Sequence, residues 1–222
     1  MSEQRALGLA NVVRPHACNS NRARRYGGDG RMPEGLVIRL ARASDLGHMQ
    51  EIERAAGAAF RGIGMHAVAD DPPLPLQALA DYQVDRRAWV ATDDLDAVGR
   101  PVAYMLVDVV DGAAHVEQIS VHPDHAGRRL GCALLDIASS WAVAQKLSAV
   151  TLTTFTQVPW NGPYYARLGF RYLADDELGP GLRRLRALEA AHGLDRWSRS
   201  AMLRDVRPTT PRGNHMAHTV DL

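Results

Sequence analysis

The sequence predicts a mixed α/β domain in which helices pack against a twisted, mostly antiparallel central sheet. Three observations predict it. Short strand-like runs alternate with stretches of helical periodicity along most of the chain. Two of these runs, 88–92 and 102–110, are followed by Asp111-Gly112, a dipeptide with hairpin chemistry. Finally, 222 residues that are 46% apolar and 23% charged suffice for one sizeable core.

The elements follow in order. Residues 36–41 read as a strand, and Ser44 as the N-cap of a helix carrying Leu46, Met49, Ile52 and Ala56 on one face. Residues 60–75, with Gly62, Gly64, Pro72, Pro73 and Pro75, read as an irregular lid or binding segment. A short helix at 76–82 is expected next, then the two antiparallel strands, with Ala103, Met105, Val107 and Val109 on one apolar face. After the Asp111-Gly112 turn, 115–121 is a strand ending at His122-Pro123, and Leu130, Leu134, Ile137, Ala138 and Trp141 mark a helix to about residue 145. A strand at 150–154, a short helix at 162–168 stopped by Gly169 and extended chain at 170–173 complete that part. Leu178, Leu182, Leu185 and Leu188 suggest one more helix, and 197–206 a last strand. There is no internal repeat. The domain therefore spans 36–206. Residues 1–33, with six Arg and two acids, read as a disordered leader, or as a start placed too early with Met32 as the true one; 207–222 reads as a flexible tail.

Composition excludes several functions. With 26 basic against 25 acidic residues and a net charge of +1, no field recruits nucleic acid or a membrane surface. The apolar runs fall far short of the roughly 20 residues that cross a bilayer. Cys18 and Cys132 stand alone, without metal-ligand spacing, so no disulfide framework and no metal site is expected, and a reducing cytoplasm fits.

Chemistry concentrates in 116–135. A strand, a tight loop and a helix with a small, glycine-containing first turn make an anion site, because a helix start exposes unpaired N–H groups and the positive end of its dipole. Gly127 and Gly131 give access, and Arg128 and Arg129 add charge suited to a pyrophosphate. The spacing matches neither G-x-x-x-x-G-K-S/T nor G-x-G-x-x-G.

These residues resemble the acetyl-CoA loop of the GNAT superfamily of N-acetyltransferases, V-x-P-x-x-Q/R-G-x-G-x-G/A, with Val121, Pro123, Gly127 and Gly131 in register. Ala126 stands where that family has Gln or Arg, and Arg129 where its middle glycine usually is. A second block, 161–170, looks like the family's F-Y-x-x-x-G-F element with Tyr165 at its tyrosine position. The resemblance implies acetyl-CoA as co-substrate, held by Ile119 and Val121 along the strand, by Ala126, Gly127, Arg128, Arg129, Leu130, Gly131 and Cys132 around the pyrophosphate, and by Tyr165. It also implies Tyr165 as the acid that protonates the leaving thiolate.

For the base, Glu117 is favoured as an acid in an apolar strand, expected on the same face as Ile119 and Val121, with His115 in reserve. A salt-bridged or solvent-facing Glu117 is the competing reading. His122 and His125 lack a third ligand, Cys132 lacks a base beside it, Asp70 and Asp71 are either an acidic turn or an attraction for a cationic amine, and Trp160 either lines the acceptor pocket or packs in the core. The expected activity is acetyl transfer to a primary amine of a small molecule by direct attack in a ternary complex. The alternatives are acetylation of a protein N-terminus or lysine, and a non-catalytic acyl-CoA-binding module. The resemblance also implies a homodimer through the last strands, for which Trp197, Ala201 and Leu203 are candidates, equally explained as intramolecular core.

Overall fold

Alternating apolar residues on strands that lie between two helical layers give the sheet two buried faces, and that is how the chain folds in the computed structural model, which describes residues 36–93 and 99–206. The expected leader, 1–33, and tail, 207–222, lie outside the described residues.

Seven strands, β1 (Leu36–Leu40), β2 (Ala88–Asp93), β3 (Pro101–Val110), β4 (Ala113–Val121), β5 (Ala149–Phe155), β6 (Arg171–Tyr172) and β7 (Arg199–Asp205), form one sheet in the order β1-β2-β3-β4-β5-β7-β6. All neighbours are antiparallel except β4 and β5. The helices are α1 (Leu46–Gly57), α2 (His66–Ala69), α3 (Leu76–Val84), α4 (Leu130–Ala144), α5 (Gly162–Arg167) and α6 (Pro180–Ala191).

On one face Ala91, Ala103, Met105, Val107, Val116, Ile119, Val150 and Leu152 meet Leu130, Leu134, Leu135, Ala138 and Ala142 of α4 and Tyr164 and Tyr165 of α5. On the other, Ala88, Val90, Tyr104 and Leu106 meet Leu46, Met49 and Ile52 of α1 and Leu79 and Tyr82 of α3. Each such aliphatic side chain contributes about 1.5–3 kcal/mol through burial, which holds α1 and α4 against opposite sides of β3 and β4. Val109, expected on the apolar face, is 55% exposed and belongs to none of the core clusters, while the next residue, Val110, packs with Leu182 and Leu185 of α6 on the opposite face.

Three local expectations change. Ser44 lies in a 3-10 turn, and the residue that organises this helix start is Asp45: it takes a bidentate pair from Arg39 at 2.6 and 3.0 Å and the Arg42 amide at 2.7 Å. The 60–75 segment is more regular than its glycines and prolines suggest. A 3-10 stretch, Ala58–Ile63, and α2 fold back so that Phe60, Met65 and Val68 pack on Phe155, Val158 and Leu194. The Asp111-Gly112 turn has positive φ at both residues, 50° and 73°, as a two-residue hairpin requires. It also reaches α6, whose Gly181 and Leu182 amides donate to the Asp111 carboxylate at 2.8 and 2.9 Å.

Candidate active site

Two breaks in regularity shape the site, and both fall on β4. The register passes from Leu106↔Gln118 to Val107↔Val116, so Glu117 is an extra residue, a β-bulge. On the other side β4 and β5 pair only at Ala114↔Val150 and His115↔Thr151, and beyond His115 the two strands part. The His122 amide donates to Val102 of β3. Strand alternation then turns the amides of Val121 and Ile119 the opposite way, toward the gap before β5.

The gap ends at the loop into α4. Gly127 has φ +82°, and Arg129, at the helix N-cap position, has φ 61° and ψ 18°. That is the left-handed region a glycine occupies with least strain, so the arginine holds a backbone conformation that favours glycine. No side-chain hydrogen bond caps α4 at its N-cap position, and its first turn, with Leu130 and Gly131, points its amides toward the gap where an anion would bind. Arg128 is not aimed outward alone: it forms an ion pair with Asp93 at the end of β2 and lies 3.1 Å from His125 Nδ1, tying loop to sheet. Cys132 Sγ faces Asp136 at 3.9 Å on the helix surface.

Tyr165 is fully buried on α5, with its ring edge-on to Tyr164 and Phe170 at centroid distances of 5.5 and 5.9 Å. Its hydroxyl has no hydrogen-bond partner. Burial, and then the neighbouring Tyr164, push its pKa well above 10, so the phenol holds its proton. Asn161 orients this short helix: its carbonyl accepts the Tyr164 and Tyr165 amides at 2.8 and 3.0 Å, and its Nδ2 donates to Thr154 Oγ1 at 3.0 Å. A Cβ at Gly162 would collide with the Tyr172 hydroxyl and sit 3.1 Å from the Phe155 carbonyl oxygen, which fixes glycine there.

The bulge corrects the expected facing of Glu117. Val116 and Ile119 both belong to the α4-side core, whereas the Glu117 carboxylate lies 4.0 Å from His115 Nε2 with 10% of its side chain exposed. Glu117 and His115 are thus together, as expected, but Ile119 and Val121 face the other way. His115 is buried, with Nδ1 3.0 Å from Thr151 Oγ1, and burial lowers its pKa to about 4 against the pull of Glu189, Asp108 and Asp111. Neutral at pH 7, it is a poor proton acceptor. Trp160 packs edge-on against Phe60 at 5.7 Å, in the core under the 58–69 segment.

Residues that sequence reasoning passed over stand on the α1 side. Tyr104 donates its hydroxyl to Glu53 Oε2 at 2.5 Å, beside buried Gln118 and Ser120. Glu53 had a signal: four residues after Met49 and one after Ile52, it is an acid set on the edge of an apolar stripe. Among the described residues no cluster of three or more His, Cys, Asp or Glu is placed to hold a metal ion, and no helix is long and apolar enough to cross a membrane.

Comparison with known proteins bears on the fold. Residues 85–172 match the model of the acetyltransferase (GNAT) domain. Among solved structures, the ribosomal-protein-S18-alanine N-acetyltransferase of Escherichia coli is similar over 80% of this chain and 97% of its own, at 17% identity and a TM-score of 0.52. Rv2747 of Mycobacterium tuberculosis, solved with CoA, is similar over 77% and 99%, at 20% identity and a TM-score of 0.56. N-acetylglutamate synthase of Neisseria gonorrhoeae, complexed with coenzyme A and N-acetyl-glutamate, is similar over 78% of this chain and 35% of its own, at 15% identity and a TM-score of 0.56. At these identities the likeness is one of fold.

Proposed function

The chain carries a GNAT acetyltransferase domain, matched over residues 85–172, and from that premise we propose that it transfers the acetyl group of acetyl-CoA to a primary amine of a small molecule, by direct attack in a ternary complex. The observation that carries the proposal is the parting of β4 from β5 immediately before the uncapped N-terminus of α4.

Acetyl-CoA supplies a thioester carbonyl already activated toward amines. The residues here fit it: first-turn amides of α4 reached past Gly127 and Arg129 for the pyrophosphate, the gap-facing amides of Ile119 and Val121 for the pantetheine arm, and a buried phenol without a partner. Ala126 leaves one side-chain contact unmade. Tyr165 is the proton donor in this reading, since burial keeps its phenol protonated at neutral pH. Glu117, partly buried at the bulge, is the proton acceptor, with the neutral His115 Nε2 4.0 Å from its carboxylate. The small-molecule acceptor is supported by the 58–69 segment, which Phe60 packs down on Phe155 and Trp160 at 5.7 Å each, where a polypeptide acceptor would need an open groove.

The test has two arms. Acetyl-CoA at about 100 times its dissociation constant should add roughly 2.7 kcal/mol to stability, read as a thermal shift that ATP and NADH do not give. CoA release should then follow from one or more of a panel of primary amines that includes short peptides. Tyr165→Phe should lower turnover by about a hundredfold while keeping the thermal shift. Equal turnover would remove the acid role, peptide-only turnover would move the acceptor class to proteins, and a shift without turnover would leave an acyl-CoA-binding module.

A further inference from the structure

The loop before α4 carries a histidine whose contacts the roles above leave unused. A 3-10 turn, Pro123–His125, is closed by the His125 amide donating to the His122 carbonyl at 3.0 Å, and the Ala126 amide donates to the Pro123 carbonyl at 3.1 Å. The turn sets the His125 ring beside the ion pair of Arg128 with Asp93: Nδ1 lies 3.1 Å from Arg128 Nη1 and 3.8 Å from Asp93 Oδ2. A guanidinium has no acceptor atom, so in the 3.1 Å contact Arg128 donates and Nδ1 accepts. The ring in this arrangement is therefore neutral, with its proton on Nε2. Arg128 thus directs one nitrogen, Nη1, at both the Asp93 carboxylate and the His125 imidazole.

A proton on Nδ1 undoes this arrangement. It takes the acceptor away from Arg128, sets a second cation beside the guanidinium, and turns an N–H toward the Asp93 oxygen that Arg128 holds. One carboxylate then faces two cations that repel each other. We propose that His125 is a positioning residue for the coenzyme loop: its neutral ring holds Arg128 on Asp93, and its protonation releases the loop from β2 and weakens acetyl-CoA binding. The proposal rests on the acetyl-CoA reading of the same loop. One N–H bond forms at Nδ1 with a proton from solvent, and nothing is oxidised or reduced. By reciprocity, bound coenzyme lowers the affinity of His125 for that proton by the same factor. The sign is opposite to that of a direct contact, since an imidazolium on a phosphate tightens binding as pH falls.

Among the described residues, the charged and titratable groups that face His125 are Asp93 at the end of β2, Arg128 farther along the loop, and His122 and Asp124 in and before its own turn. The His122 ring stands at a centroid distance of 6.1 Å; its Nδ1 accepts from the Asp124 amide at 3.3 Å and lies 3.7 Å from Asp124 Oδ2, so it has partners of its own. Burial and then Arg128 hold the His125 pKa below 6.5, against the pull of Asp93 and Asp124. The ring is accordingly neutral at pH 7 and takes its proton in mildly acidic solution.

The experiment measures binding by calorimetry from pH 5.5 to 8 in wild type, His125→Asn and Arg128→Ala, with acetyl-CoA and with dephospho-CoA, which lacks the 3′-phosphate that titrates in the same range. Wild type should bind dephospho-CoA about fivefold more weakly at pH 5.5 than at pH 7.5. His125→Asn, whose Oδ1 stands in for Nδ1 and does not titrate, should bind as wild type does at pH 7.5 and keep that affinity at pH 5.5. Arg128→Ala should bind more weakly at pH 7.5 and lose the pH dependence. The imidazole proton resonances give a readout that needs neither turnover nor ligand: the His125 signal, assigned by its absence in His125→Asn, should titrate below 6.5 in wild type and move up in Arg128→Ala. Saturation with dephospho-CoA should move it further down. Binding that tightens toward pH 5.5, or a pH dependence that either variant retains, overturns the proposal. If neither ligand binds at any pH, the acetyl-CoA reading fails, and the resonance titration judges the tie alone: a His125 signal that Arg128→Ala leaves unmoved overturns it.

Discussion

Arg129 is the residue at which sequence and backbone disagree most openly. A non-glycine residue at φ 61° carries about 1 kcal/mol of strain, so Arg129→Gly should raise stability by roughly 0.5–1 kcal/mol in a urea titration, and should weaken acetyl-CoA binding if its guanidinium reaches the phosphates. Gains in both would assign the side chain no coenzyme contact. Two buried groups set opposite pH dependences. The His115 pKa falls from 6.5 to about 4 on folding, so it contributes stability above pH 6.5 that is lost as pH falls through 4. The Glu53 pKa rises from 4.5 to about 7, so its contribution is present below 4.5 and is lost as pH climbs through 7. At 1.36 kcal/mol per pKa unit each is of the order of 3 kcal/mol. Glu53→Gln should accordingly gain on wild type between pH 5 and 8, and His115→Gln should gain on it between pH 6.5 and 4, both measured by chemical denaturation. Arg129 and Tyr165 were legible because a fixed spacing marks them. The buried setting of Glu53 was not, because it depends on Tyr104, a strand residue 51 positions away that no local pattern connects to it.

At the scale of elements, the loop before α4 is held from outside itself. Arg128 is one-third exposed and Asp93 13%, so their ion pair adds little to global stability, but it sets where the loop sits relative to β2. Arg128→Ala and Asp93→Ala should each weaken acetyl-CoA binding, and the double variant should lose less than the sum, by at least about 0.5 kcal/mol in calorimetric titration. Additive losses would mean that Arg128 contacts the phosphates independently of Asp93. Helices α1 and α4, β3 and the 111–112 turn could be read from the sequence because period and turn chemistry are local. The bulge at Glu117 could not: an extra residue in one strand is defined only against its partner, and reading strict alternation through it placed Glu117 with Ile119. The 58–69 segment was missed for a related reason. Its glycines and prolines signal irregularity, while the packing of Phe60, Met65 and Val68 on the end of β5 depends on residues nearly a hundred positions later.

For the whole molecule, the matched span of 85–172 is not a separable body. It omits α1, which brings Glu53, and α6 and β7, which bring Glu189 and Arg199 against Thr153 of β5. Asp111→Ala would leave the Gly181 and Leu182 amides without their acceptor, and hydrogen exchange should show α6 losing protection before α4 does. The sheet order carries a consequence for synthesis. β7, the last strand among the described residues, is inserted between β5 and β6, so during translation β5 offers a bare edge and β6 has nowhere to dock until the chain has grown past residue 205. A nascent chain stalled before that point leaves the outer edge of β5, from Val150 to Phe155, without its partner strand, the kind of edge that recruits other chains. Closure of this domain therefore waits for β7, and ribosome-stalled fragments ending before β7 should be held by chaperones or aggregate where chains that include β7 do not.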